Sequence, residues 1–286
     1  MTLKLILAAL LMSIGTTFST GSASAGTVPE YRPAIDDVAA DKGVMDTDRC
    51  IARREARRSV ISRCTYGHAK AGKTLVLMGD SHALQYGPAL IRLAEQRGWR
   101  LIALMRQSCV AAQVNYERTC DAWRNNTMKK IVRRIRPDLV VISTGTVGRY
   151  RVNRNGRKLT RRQSEPFLKR GMVKTLSRIR RSGARAAVIQ DQAIAPSGIL
   201  DCLRSQPAPE CSFRGGGRKA RGDFDARAAR SVKGVKLIDP FPRLCPGGTC
   251  PAVAGDIIVY RDIYHLSATY AETLAPWLSR RLPNPG

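Results

Sequence analysis

Five short apolar runs recur along the chain, each trailed by a stretch of helical character. This alternation restricts the fold more than any other feature of the sequence. TLVLMGDS (74–81) is a continuous apolar run ending in Gly-Asp-Ser, the pattern of a strand buried on both faces. WRLIALM (99–105), DLVVIST (138–144), ARAAVIQD (184–191) and VKLID (235–239) read the same way. Helices are predicted over 82–98, 121–135, 164–182 and 220–232, with a last one from Ser267 to Arg280. Strands alternating with helices imply parallel pairing through right-handed crossovers. The expected fold is therefore α/β, a three-layer αβα sandwich around a parallel, flavodoxin-like five-stranded sheet. With 286 residues, 43% of them hydrophobic, the chain can bury one sizeable core. In such sheets the active crevice lies beyond the carboxyl ends of the strands. That rule singles out Asp80 to His82, Gln107 to Cys109, Thr144 to Gly148 and Gln190 to Gln192.

The N-terminus addresses the compartment. Lys4, the apolar run LILAALLMSIG and the Ala23-Ser24-Ala25 signature have the layout of a signal peptide over residues 1–25. The run is shorter than the roughly 20 residues of a comfortable membrane span, and charges interrupt every later apolar segment. Export to the periplasm, the cell envelope or the exterior is expected. In an oxidising compartment the eight cysteines read as disulfides. Cys50, Cys64, Cys109, Cys120, Cys202, Cys211, Cys245 and Cys250 fall into four close pairs, so sequential pairing is the simplest arrangement. With no Cys-x-x-Cys and three histidines, no metal site or other cofactor is expected. Residues 26–70 read as a basic N-terminal extension in which CIARREARRSVISRC forms a helix between Cys50 and Cys64. Residues 71–286 then form the catalytic domain.

Lys and Arg number 49 against 22 Asp and Glu, a formal net charge of +27. Such a surplus attracts polyanions. Export argues against nucleic acid as the partner and turns attention to envelope polymers. Much of the charge lies in the extension (Arg53, Arg54, Arg57, Arg58) and in RVNRNGRKLTRR and FRGGGRKARG, which read as solvated loops.

Two motifs carry chemistry. LVLMGDSHALQYG places Ser81 on a strand-to-helix turn, where its own N–H faces a developing oxyanion. YRDIYHLSATY sets Asp262 three residues before His265, ahead of the last helix. On a tight turn Asp262 holds one ring nitrogen of His265 and leaves the other free to take the Ser81 proton. The carboxylate is expected to raise the imidazole pKa above its usual value of about 6.5. Asp80 reads as the anchor of its turn, His82 as a structural neighbour or crevice polar group, and Asp191 as a crevice wall or loop anchor. Cys109 reads as half of a disulfide, not as a nucleophile.

GDSH (79–82) after the first strand and DIYHLS (262–267) before the last helix resemble the SGNH (GDSL-like) hydrolase superfamily. The resemblance is closest to the SGNH domains associated with acyltransferase-3 membrane proteins, over about residues 72–282. It implies Ser81 as nucleophile, His265 as general base and acid, and Asp262 as its orienting partner. It also implies an oxyanion hole with a glycine N–H and an asparagine side chain. Here the chain departs: no glycine lies between Gly98 and Gly145, and GTVGRY stands where Gly-x-Asn-Asp is found. The Ser81 backbone remains, with Thr144 and Thr146 as further candidates. The expected activity is that of a serine esterase or O-acyltransferase on acyl groups of envelope carbohydrate, a separate membrane acyltransferase being one source of the acyl group. The alternative is a noncatalytic glycan- or polyanion-binding module of the same fold.

Overall fold

The computed structural model of the protein describes residues 30–59, 63–146, 150–216 and 222–284. The signal-peptide reading of residues 1–25 lies outside them. The five apolar runs form β3 (Thr74–Gly79), β4 (Arg100–Arg106), β5 (Leu139–Ser143), β6 (Arg185–Ile189) and β7 (Val235–Ile238). They pair in parallel in the order β4-β3-β5-β6-β7. The first strand therefore lies inside the sheet, and the chain reverses its winding there. Side-chain alternation explains why continuous apolar runs were needed. Leu75 and Leu77 of β3 enter one core layer while Val76 and Met78 enter the other, and all four are fully buried. Leu139 and Val141 of β5 divide from Val140 and Ile142 in the same way.

Helices cover both faces. α1 (Ser81–Leu84), α2 (Gly87–Gln96), α6 (Ala268–Thr273) and α7 (Ala275–Ser279) pack on the first layer, while α3 (Arg118–Lys130), α4 (Arg161–Arg181) and α5 (Phe224–Arg230) pack on the second. α4 starts at residue 161, earlier than predicted, because Thr160 and Gln163 form a reciprocal capping box. The last helix is two pieces, since Pro276 enters the first turn of α7. RVNRNGRKLTRR is not wholly loop: Asn153–Arg154 and Arg157–Lys158 pair as a hairpin, and Arg161 begins α4.

The basic extension corrects the sequence reading in two ways. It adds two strands to the expected five. β1 (Ile51–Ala52) runs parallel to β4 and β2 (Thr65–Gly67) runs antiparallel to it, making a seven-stranded, mostly parallel sheet. Moreover, no described residue between Cys50 and Cys64 is helical. These two cysteines are disulfide-bonded with Cα atoms 5.4 Å apart, whereas a helix rising 1.5 Å per residue would hold them about 20 Å apart. The carbonyls of the segment have other partners: Thr119 donates to Arg54, Arg106 to Ala56, Asn126 to Arg57 and Lys130 to Ser59.

The remaining pairs are Cys109–Cys120, Cys202–Cys211 and Cys245–Cys250. Closing loops this short stabilises the fold by about 2–3 kcal/mol each in the chain-entropy account. No helix among the described residues is long and apolar enough to cross a membrane.

Gly79 of β3 lies opposite Ser143 of β5. A Cβ there would lie 1.8 Å from the Ser143 carbonyl oxygen, so the strand ends would have to part. Gly79→Ala is expected to destabilise the protein by about 3 kcal/mol, lowering Tm on the order of 10 °C in a thermal melt. An unchanged Tm would show that this contact does not constrain the sheet.

Candidate active site

The end of β3 and the turn before α6 meet at the carboxyl edge of the sheet. Asp80 leaves the strand and accepts the His82 N–H at 2.8 Å, capping α1 and setting Ser81 as its first residue. The first amide of a helical turn has no intrahelical acceptor, so the Ser81 N–H is available to a ligand. Asp80 is buried and also accepts from Thr144 Oγ1, the Gly145 N–H and the Tyr150 hydroxyl. One carboxylate thus fixes the turn at Ser81, the loop after β5 and Tyr150.

On the other side, Asp262 Oδ1 accepts the N–H groups of Tyr264 and His265 at 2.7 and 2.9 Å. Arg261 N–H to His265 O closes the same turn, and the Ser267 side chain caps α6 directly behind it. The tight DIYH geometry is therefore local. Both Asp262 oxygens lie 2.9 Å from His265 Nδ1, and His265 Nε2 lies 2.9 Å from Ser81 Oγ. The three residues named from the sequence are brought together in that order.

A clasp of two buried amides fixes the distance between them. Gln85 Nε2 donates to Gln192 Oε1 at 2.8 Å, and Gln192 Nε2 donates to the Tyr264 carbonyl at 2.5 Å. The Leu266 N–H donates to Gln85 Oε1 at 2.9 Å. The backbone is thus held before His265 by Gln192 and after it by Gln85, the latter one turn beyond Ser81. Sequence reasoning placed Gln192 at the crevice but gave Gln85 no role, and nothing in their spacing signals the pair.

A second His–Asp pair was also missed. His82 Nδ1 lies 2.7 Å from Asp191 Oδ1, both side chains being almost wholly buried. The His82 ring centroid is 4.9 Å from that of His265. Asp191 also accepts the Thr146 N–H at 2.8 Å, so it anchors the loop after β5 as well as the ring beside the base. Asp225, fully buried, is pushed up to about 8, first by desolvation, with the Asp191 charge adding to it.

Two expectations change. The Thr144 hydroxyl donates to Asp80 and the Thr146 hydroxyl to Asp191, both being drawn to the nearest buried carboxylate. With its single proton engaged, neither hydroxyl is turned toward an oxyanion. The His265 pKa moves down, not up. Burial pushes it below its ordinary value and His82 and Arg261 add to this, outweighing the opposing pull of Asp262. Asp262 itself is raised by burial, but the His265 bond and charge, the Tyr264 N–H and Arg261 bring it down to about 2. At neutral pH the site thus holds an ionised Asp262 behind a neutral His265. Such a pair can take a proton from a serine hydroxyl and return it to a leaving group. Among the described residues no group of three or more His, Cys, Asp or Glu is arranged to hold a metal ion.

The fold and this geometry allow comparison with known proteins. No curated protein sequence matches the chain. Similar solved structures include the native M. smegmatis aryl esterase, at 15% identity and a TM-score of 0.47, over 73% of this chain and 97% of that one. Est24, a carbohydrate acetylesterase from Sinorhizobium meliloti, is 17% identical with a TM-score of 0.46, over 73% and 97% of the two chains. A GDSL-like lipase from Bacteroides thetaiotaomicron is 11% identical with a TM-score of 0.41, over 73% and 88%. The family described as the SGNH domain fused to AT3 domains matches residues 49–280, from the first disulfide to the end of the last helix, and the chain belongs to that family.

Proposed function

We propose that the protein is an exported serine esterase or O-acyltransferase that acts on acyl groups, acetyl foremost, of cell-envelope carbohydrate. The observation that carries this reading is the 2.9 Å approach of Ser81 Oγ to His265 Nε2 with Asp262 on the opposite ring nitrogen. Ser81 Oγ attacks the acyl carbonyl while His265 takes its proton. The tetrahedral intermediate collapses, the carbon–oxygen bond to the sugar breaks, and His265 returns the proton to the departing hydroxyl. Water then releases the acyl group from Ser81, or a second sugar hydroxyl receives it. One triad serves both outcomes. Membership of a family described from fusions to AT3 domains supports a membrane acyltransferase as acyl donor. Four disulfides are in keeping with maturation in an oxidising compartment.

The Ser81 N–H is the one oxyanion donor we assign. Loss of a donor typically costs about 100- to 1000-fold in rate, so turnover of simple esters is expected to be slow. This also favours, as the competing reading, a noncatalytic module that binds glycan without cleaving it. Phosphonofluoridate separates the two. The wild-type chain is expected to be labelled on the peptide containing Ser81, and Ser81→Ala to lose both labelling and aryl acetate hydrolysis while melting at an unchanged temperature. Hydrolysis that persists in Ser81→Ala would overturn the mechanism.

The pH dependence follows from the charge states. A base whose pKa is lowered by burial reaches half-protonation only below the ordinary imidazole value of about 6.5. Because Asp262 ionises at about 2, it does not titrate near that value. A profile of kcat/KM is therefore expected to have its acid midpoint below about pH 6.5 and to fall tenfold per unit on the acid side of it. An acid limb already complete above pH 6.5 would contradict the dominance of burial.

A further inference from the structure

We propose that a cleft on the active edge of the sheet, separate from the Ser81 site, is a subsite for an anionic sugar residue, its charge carried by a carboxylate or a phosphate. The cleft has a volume of about 310 Å³ and lies between the loop 113–115, the strand Asn153–Arg154 and the first half of α4. Those loops follow β4 and β5, so the cleft opens on the edge that carries Ser81. Tyr150 links the two places. Its hydroxyl donates to Asp80 beside Ser81, its ring meets Tyr116 edge-on at 5.2 Å, and the chain continues from it directly into the cleft wall.

The lining has the chemistry of anion and sugar recognition. Phe167 forms an aromatic surface, with the guanidinium carbons of Arg170 and Arg154 at 4.6 and 5.5 Å from its centroid. Stacking on a ring sets the plane of a guanidinium and leaves its N–H edge for a ligand. Lys174 adds a third cation, one turn along α4 from Arg170, and the amides of Asn115 and Asn153 suit sugar hydroxyls. The walls are preformed. The Asn153 N–H donates to Asn115 O at 2.7 Å and the Gln113 N–H to Gly171 O at 3.0 Å. A Cβ on Gly171 would lie 2.6 Å from Gln113 O, so the loop rests directly on the helix.

Carboxylates are absent from these walls. None occurs in 107–116, 150–164 or 166–181, and the one acid of α4, Glu165, pairs with Arg227 at 2.6 Å. Among the described residues Arg154, Arg170 and Lys174 pair with no acid, whereas Arg124, Arg204 and Arg227 each do. The Gln113 amide nitrogen, also at the cleft, is buried without an acceptor. Three cations without an acid partner on one preformed cleft are a site that an anionic residue completes. The ligand class rests on the carbohydrate reading above, whereas the site itself rests on this geometry.

Calorimetric titration of the full-length Ser81→Ala chain tests binding apart from turnover. The probes are a galacturonate trisaccharide for the carboxylate, a hexose phosphate for the phosphate and a neutral trisaccharide. At least one anionic probe is expected to bind ten times more tightly than the neutral one. The triple variant R154A/R170A/K174A is expected to lose that binding by tenfold or more. K129A/R133A/R134A removes the same charge from another basic cleft and is expected to stay within twofold, with both variants melting like the parent chain. Equal binding of the neutral probe, or equal loss in both triple variants, would overturn the proposal. A wild-type chain that binds the anionic probe yet hydrolyses no ester would instead overturn the acyl-transfer reading alone.

Discussion

The proposed chemistry depends on one hydrogen bond, between Ser81 Oγ and His265 Nε2. Its partners are 184 residues apart and sit 2.9 Å from each other. A contact between two loops would be easily lost, because each added degree of freedom lowers the fraction of time the two atoms are aligned. The fold removes those freedoms from both ends. Asp80 fixes the turn before Ser81, Asp262 fixes the turn around His265, and the Gln85–Gln192 clasp joins the two. Asp80, Gln85 and Gln192 are buried, where a hydrogen bond left unmade is costly, so their restraints resist partial opening, while Asp262 is half-buried.

Burial also sets the charge states. A histidine beside a carboxylate in water gains proton affinity, yet His265 loses it because desolvation outweighs Asp262 and His82 and Arg261 add to the effect. The same surroundings would collapse if their own carboxylates lacked partners. Asp80 takes the His82 and Gly145 N–H groups and the Thr144 and Tyr150 hydroxyls, and Asp191 takes His82 Nδ1 and the Thr146 N–H. The Thr144 and Thr146 hydroxyls, read from the sequence as oxyanion donors, satisfy these carboxylates instead.

Much of the architecture was legible in the sequence because the centres of β3 to β6 are buried on both faces and so must be apolar, whereas β7, at the sheet edge, is fully buried only at Ile238. Ser81, Asp262 and His265 were legible for a related reason. Each sits in a short motif at a strand end or a helix start, where local spacing and edge position coincide. What stayed hidden depends on tertiary proximity alone. His82 and Asp191 are 109 residues apart, and Gln85 and Gln192 are 107 apart, with no local pattern to join them. The segment between Cys50 and Cys64 misled for the opposite reason. Its basic composition suits a helix, but the disulfide claims its ends, and side chains of α3 together with Arg106 of β4 claim its carbonyls. The direction of the His265 shift was hidden too, since a sequence records the carboxylate neighbour and not the depth of burial.

The central claim is that Ser81 carries the acyl group in the course of the reaction. Intact-protein and peptide mass spectrometry after brief incubation with an aryl acetate, quenched in acid, reads this directly. The account predicts one added acetyl group, confined to the peptide containing Ser81 and accumulating further in a His265→Ala chain supplied with imidazole and then depleted of it. No acetyl adduct under any quench, or an adduct on another residue while ester is consumed, would contradict it.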